Sequence, residues 1–251
     1  MMRPRQVVEY FGTHPDKMLG LALIPTTETQ SGVVICGSLK AEQAAFPDRD
    51  RELARALADA GHAVVRFHFR GDGQSAGRIE DLTLQTMIED VGDAIGWLRD
   101  VAGVSALAMS GTRLGGLAAA AAPGTRGAPL AIWEPVFDVE AYFLHLARIK
   151  VTEAMGFAPS PESEGGANSL KDQVAKDLFE EELATVGFFD CLGLPIGVAF
   201  YQSTVHRHLA DELEASARPI LLSYEADADR HGFEAAVNWI NRQLQPSDSA
   251  K

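Results

Sequence analysis

The stretch from Ala106 to Ala122 constrains this chain more than any other. Ala106-Leu107-Ala108-Met109 is an apolar, strand-like run, and Leu117 to Ala122 is a helix-like run of small residues. Between them lies a turn crowded with glycine, Ser110-Gly111-Thr112-Arg113-Leu114-Gly115-Gly116. A strand that turns sharply into a helix through closely placed glycines holds one side chain up in a strained position. Here that side chain belongs to Arg113. The alanines and glycines after it let the helix lie close against a sheet, as such a turn requires.

The flanking sequence alternates strands with amphipathic helices. Gln6 to Phe11 and Leu19 to Ile24 read as two short strands, and Val33-Val34-Ile35-Cys36 as a central one. Leu53, Ala56, Leu57 and Ala60 recur at helical spacing within 48–60, and Gly61 stops that helix. Ala63 to Phe69 is the next strand, followed by a glycine-punctuated loop, Arg70 to Gly77. Leu84, Met87, Ile88, Val91, Ile95 and Leu98 then form one apolar stripe on a helix. This order predicts an α/β fold with a mostly parallel central sheet flanked by helices.

Past the turn, Pro129 to Val136 reads as a strand and Asp138 to Val151 as a helix. Pro159 to Asn168 reads as a mobile loop, and the charged stretch Leu170 to Leu183 as a solvated helix. An inserted helical cap over 138–195 accounts for this part, leaving 1–137 and 196–251 as the core. In the tail, Ile196 to Tyr201 is strand-like, Thr204 to Ala215 helical, Pro219 to Tyr224 a strand and Phe233 to Leu244 a helix.

With 251 residues, 46% of them hydrophobic, the chain can bury the core of one such domain. A net charge of -13 argues against general nucleic-acid binding, which needs basic surface to meet phosphates. It leaves room for a pocket that is locally basic. The two cysteines, Cys36 and Cys191, fit reduced thiols in a cytoplasmic protein better than a disulfide. No signal peptide or membrane span is visible. His206 and His208 stand two apart on the expected helix, so they do not share a face for a metal. The glycines at 71, 73 and 77 do not make a dinucleotide fingerprint, and no cofactor is called for.

Three stretches resemble an α/β-hydrolase of the serine aminopeptidase-like kind. They are the loop after Cys36, the loop Phe69 to Gly77, and the turn Gly111-Thr112-Arg113-Leu114-Gly115, which matches the nucleophile elbow G-x-S-x-G. Arg113 stands where that family has its serine. Over roughly 30–150 the sequence is most similar to the branch of exosortase A system-associated hydrolases whose elbow carries Arg in place of Ser, with Trp133-Glu134-Pro135-Val136, Tyr142 and Arg148 downstream. The resemblance implies an exopolysaccharide or related biosynthetic setting. It also implies a catalytic acid after a late strand, where Asp227 or Asp229 fit, and a histidine one strand later, where His231 is the candidate. The tail is short for both strands unless Ile196 to Tyr201 supplies one.

Guanidinium is always charged and is no nucleophile, so the ordinary triad is broken at Arg113. Arg113 would either clamp a carboxylate or phosphate at the helix N-terminus or form an internal salt bridge with Glu134 or Glu42. Ser110 or Thr112 as a displaced nucleophile is disfavoured by position. Glu42 is a candidate base or orienting acid, against the plainer reading of a loop carboxylate. Glu134, at the carboxyl end of a strand, is a candidate site acid. Ser38 could donate to a substrate oxygen or merely cap its turn. Trp133 is a pocket wall or core, and Leu114 supplies a backbone donor after the elbow.

Two functions follow. In one, an acyl hydrolase or acyltransferase acts on the ester or thioester of a small-molecule or carrier-linked substrate without a serine nucleophile. Glu42 or Glu134 would then activate water or an acceptor. In the other, a noncatalytic pseudo-hydrolase binds an anionic ligand or a protein partner. A homo-oligomer is compatible with either.

Overall fold

The computed structural model describes residues 3–39, 48–154, 169–191, 193–224 and 230–245, without the side chains of 169–171 and 230–231. Glu42, Asp227, Asp229 and the loop expected over 159–168 lie outside the described residues.

Seven strands form one sheet in the order β1-β2-β4-β3-β5-β6-β9. They are β1 (Arg5–Phe11), β2 (Met18–Ile24), β3 (Ser31–Cys36), β4 (Ala63–Phe67), β5 (Ala106–Thr112), β6 (Leu130–Trp133) and β9 (Ile220–Ser223). β1 and β2 pair antiparallel, as do β2 and β4, while β4, β3, β5, β6 and β9 run parallel. The inner parallel strands β3 and β6 are buried on both faces, which is why they read as unbroken apolar runs, whereas β9 at the edge is half-buried.

Alternate residues feed two cores. Val34, Cys36, Val65, Met109 and Ile132 face α2 (Leu84–Ala102) and α3 (Leu114–Ala121). Val33, Ile35, Val64, Ala108 and Ala131 face the other way, toward α1 (Arg49–Asp59) and α8 (Arg230–Leu244). The period-2 alternation of a strand produces this division directly. α2 starts at Thr83, whose side chain accepts from Thr86 N–H in a reciprocal capping box, so its first turn is satisfied locally.

Between β6 and β9 the chain forms α4 (Val139–Ala154), α5 (Ser169–Thr185), the hairpin β7 (Phe188–Cys191) and β8 (Leu194–Gly197), α6 (Val198–Thr204) and α7 (Leu209–Glu214). Three expectations change here. Ile196 to Tyr201 is not a strand of the main sheet: Ile196 and Gly197 end the hairpin, and Val198 to Tyr201 are helical. The helix expected over 204–215 is shorter, α7 over Leu209–Glu214; Thr204 ends α6, and His206 and His208 lie in the connection between the two. The charged α5 is solvated on one side only. Phe179 is buried and packs on Phe143, Phe189 and Tyr201, while Lys150 Nζ donates to both Glu182 oxygens at 2.6 and 2.7 Å.

Candidate active site at the strand-to-helix turn

β5 ends at Thr112 and α3 begins at Leu114, so one residue, Arg113, carries the whole change of direction. Its φ of 49° and ψ of -120° lie where L-residues seldom go. Such strain persists only where the surroundings fix it. The glycines do the fixing. A Cβ on Gly111 would meet the Gly116 Cα at 2.4 Å, and one on Gly115 would meet the Gly37 carbonyl oxygen at 2.3 Å. The first turn of α3 therefore lies directly against the end of β5 and the segment after β3, which brings Ser38 to this edge.

Arg113 is held by an acid from the next strand. Its Nε donates to Glu134 Oε2 at 2.9 Å, and its Nη2 reaches the same oxygen at 2.8 Å. Glu134 itself leaves β6 with a φ of 49°, and its N–H donates to the Ser223 carbonyl on β9. A third residue joins from the start of α1: Arg49 Nη1 donates to Glu134 Oε1 at 3.4 Å and Nη2 to Thr112 Oγ1 at 2.9 Å. Glu134 is thus bracketed by two guanidinium groups. Burial pulls the Arg49 guanidinium down from its usual range, and the charges of Asp50 and Glu134 act against that.

The Arg49 guanidinium also lies 5.1 Å from the centre of the Trp133 ring, a cation–π contact. Trp133 is 2% exposed and its indole N–H donates to Ser110 Oγ at 3.2 Å. Of the two readings of Trp133, the structure places it in the core. Ser110 and Thr112 are each 1% exposed, and both hydroxyls are engaged, the first by Trp133 and the second by Arg49. Neither is presented as a nucleophile. Cys36 is fully buried at the end of β3, and burial pushes its thiol up, away from the reactive thiolate.

The structure brings together Arg113, Glu134, Ser38, Leu114 and Trp133. Ser38 is 4% exposed and Leu114 fully buried, so Leu114 offers its backbone and not its side chain. The N–H groups of Leu114 and Gly115, in the first turn of α3, have no acceptor among the described residues. Glu42 lies outside the described residues, as does the His231 side chain; the backbone of His231 falls in the first turn of α8. β9 is the last strand of the sheet among the described residues, and α8 follows it after a short connection. Among the described residues the sheet has no separate strand after β9 that would carry a histidine beyond the acid. Arg49 is the site residue that sequence reasoning missed. It opens an ordinary amphipathic helix, and nothing in its spacing points at the distant end of β6.

No family model matches the chain, and no curated protein does. Solved structures do match over nearly its full length. A putative hydrolase from Agrobacterium vitis S4 superposes with a TM-score of 0.58 at 14% identity, covering 97% of this chain and 100% of the other. The esterase Pf2001 from Pyrococcus furiosus gives 0.57 at 11% identity, over 96% of this chain and 94% of its own. A proline iminopeptidase from Mycobacterium smegmatis gives 0.54 at 11% identity, over 94% and 98%.

The chain has the α/β-hydrolase fold.

Within the α/β-hydrolase fold the strand-to-helix turn is the nucleophile elbow, and its backbone is retained here with a guanidinium on top. That group neither attacks a carbonyl nor exchanges protons at neutral pH. With two cations around one carboxylate, beside the positive end of a helix, the edge is suited to hold an anion. No cluster of three His, Cys, Asp or Glu among the described residues could hold a metal. No helix among them is long and apolar enough to cross a membrane.

Proposed function

We propose that this α/β-hydrolase-fold protein has left serine chemistry and binds an anionic acyl ligand, small or carrier-linked, at its elbow. The observation that carries the reading is Arg113 in the nucleophile's place, strained at φ 49° and ion-paired to Glu134 at 2.8 Å. A guanidinium cannot form the acyl intermediate of a serine hydrolase. It can hold a carboxylate together with the Leu114 and Gly115 N–H donors. The cap over 138–195 and a cytoplasmic, biosynthetic setting belong to this reading; the setting rests on the resemblance to the exosortase A system-associated branch. The test is calorimetry with S-succinyl pantetheine against the uncharged S-butyryl pantetheine. The charged ligand should bind at least tenfold more tightly to the wild type, and Arg113→Gln should erase that preference. Equal binding of both ligands would sink the anion reading.

A second reading is acyl hydrolysis or transfer without serine. The N–H groups of Leu114 and Gly115, without an acceptor among the described residues, favour it, since donors of this kind would stabilise an oxyanion. It needs a base, and Glu42 is the candidate because Glu134 is bracketed by Arg113 and Arg49. Turnover of either pantetheine thioester that is lost in Glu42→Gln would favour this reading over pure binding.

A further inference from the structure

Five arginines among the described residues are buried or half-buried: Arg49, Arg66, Arg70, Arg113 and Arg218. Four are engaged. Arg49 and Arg113 meet Glu134, Arg70 meets Asp90 and Glu89, and Arg218 donates to the carbonyls of Ala119 and Ala120 and to Thr125. Arg66 alone has neither a hydrogen bond nor an ion pair to any described residue, and its Nε, like those of Arg49 and Arg218, is shielded from solvent without an acceptor. Buried donors are ordinarily satisfied, so this exception needs an explanation.

Its position supplies one. Arg66 sits on β4, directly opposite Leu21 on β2 and Ile35 on β3, and Val8 on β1 stands opposite Leu21. Val8, Leu21, Arg66 and Ile35 therefore form one cross-strand row, with a single cation among aliphatic side chains. All four line a cleft of about 280 Å³ that also takes in Gly37 and the first turn of α1. That volume is at the small end for ligand sites. Burial pulls the Arg66 guanidinium down from its usual range, the charge of Asp50 acts against that, and Arg51 and Arg55 add smaller like-charge effects. Asp50 is the acid in the cleft. It lies 3.9 Å from Arg49, and burial favours its neutral form.

We infer that this cleft is a second ligand site, in which Arg66 holds the carboxylate of a small molecule whose short apolar chain lies along Val8 and Leu21. A monoanion fits better than a phosphate dianion. A single negative charge suits a guanidinium that makes no hydrogen bond to a described residue, and the Asp50 carboxyl beside it would oppose a second. The aliphatic row offers an apolar chain about the length of a few methylenes a dry surface on one side. This site stands on β2, β4 and β3, borders the elbow at Gly37, and does not depend on the function proposed for the elbow.

Hexanoate is the probe, with hexylamine as the control of equal length and opposite charge. Titrated into isotope-labelled protein, hexanoate should shift the amides of Gly20 and Leu21, and hexylamine should not. Arg66→Met should weaken hexanoate at least tenfold, Arg66→Lys should keep part of the affinity, and Arg113→Gln should leave it within twofold. Should Arg66→Met not fold, Arg66→Lys and the hexylamine control still decide. No shift at those amides with hexanoate, or equal binding by wild type and both Arg66 variants, would overturn the assignment.

Discussion

Arg113 and Glu134 leave neighbouring parallel strands one residue past the paired Thr112 and Trp133, both with a φ of 49°, and their side chains meet at 2.8 and 2.9 Å. Two strained backbones thus face one another across a salt bridge. Each position costs on the order of 1–3 kcal/mol, and the pair with Arg49 offsets part of that.

The coupling between them is measurable. With Arg113, Glu134 and Arg49 side chains 25%, 12% and 10% exposed, solvent screens the cluster little. Glu134→Gln leaves two guanidinium groups uncompensated and should destabilise by ~2–4 kcal/mol, more than Arg113→Gln. A double-mutant cycle by urea unfolding should return a coupling of ~1–3 kcal/mol. A coupling near zero would mean that the pair does not hold the elbow.

The glycines of the elbow differ in what they tolerate. Gly115→Ala drives a Cβ against the Gly37 and Cys36 carbonyl oxygens at 2.3 and 2.5 Å, both backbone. Gly116→Ala meets the Ile132 Cγ2 at 2.5 Å, the tip of a side chain. Gly115→Ala should therefore be the more damaging, by ~1–3 kcal/mol, because overpacking against backbone relaxes less. Thermal unfolding of the two variants side by side checks the order.

How much of this was legible beforehand depends on the kind of signal. The elbow was, because closely spaced glycines between an apolar run and a small-residue run have few other uses. Glu134 as a partner of Arg113 was one of two readings, since each follows the end of an apolar strand. Arg49 was not, because its reach to Glu134 is set by how α1 packs on the sheet, which leaves no trace in local spacing. Ile196 to Tyr201 was misread as a strand. A short apolar run has no periodicity to separate strand from buried helix, and the helix began at Val198. Arg66 was passed over inside an apolar strand, where one charge looks like a solvent-facing residue until the sheet places it beside Leu21 and Ile35.

The loop after β4 should show its own pH signature. Asp90 is fully buried, accepts from Arg70 N–H at 2.8 Å and from Arg70 Nε, and burial raises its carboxyl to about 6. A carboxyl raised above its unfolded value contributes stability that is complete below about pH 4 and is lost as pH rises through about 6. Relative to Asp90→Asn, wild-type stability should fall by ~2–3 kcal/mol across that window. Denaturation curves at pH 4, 5, 6 and 7 for both proteins give the difference; a flat difference would contradict the burial effect.

Arg113→Ser should not create a serine hydrolase. The new hydroxyl would stand at the elbow, but among the described residues the sheet has no further strand after β9 to carry a histidine behind it. Ester turnover by Arg113→Ser should stay within about twofold of the wild type. A rise of tenfold or more, abolished by His231→Ala, would show a complete relay waiting for its nucleophile.

The most direct test of the central claim is intact-mass analysis of the wild type after exposure to a fluorophosphonate probe, which labels activated serines. With a guanidinium at the elbow and the hydroxyls of Ser110 and Thr112 buried and engaged, the mass should be unchanged. A stoichiometric adduct, lost in Ser110→Ala, would show that a serine acts here after all and would contradict the account.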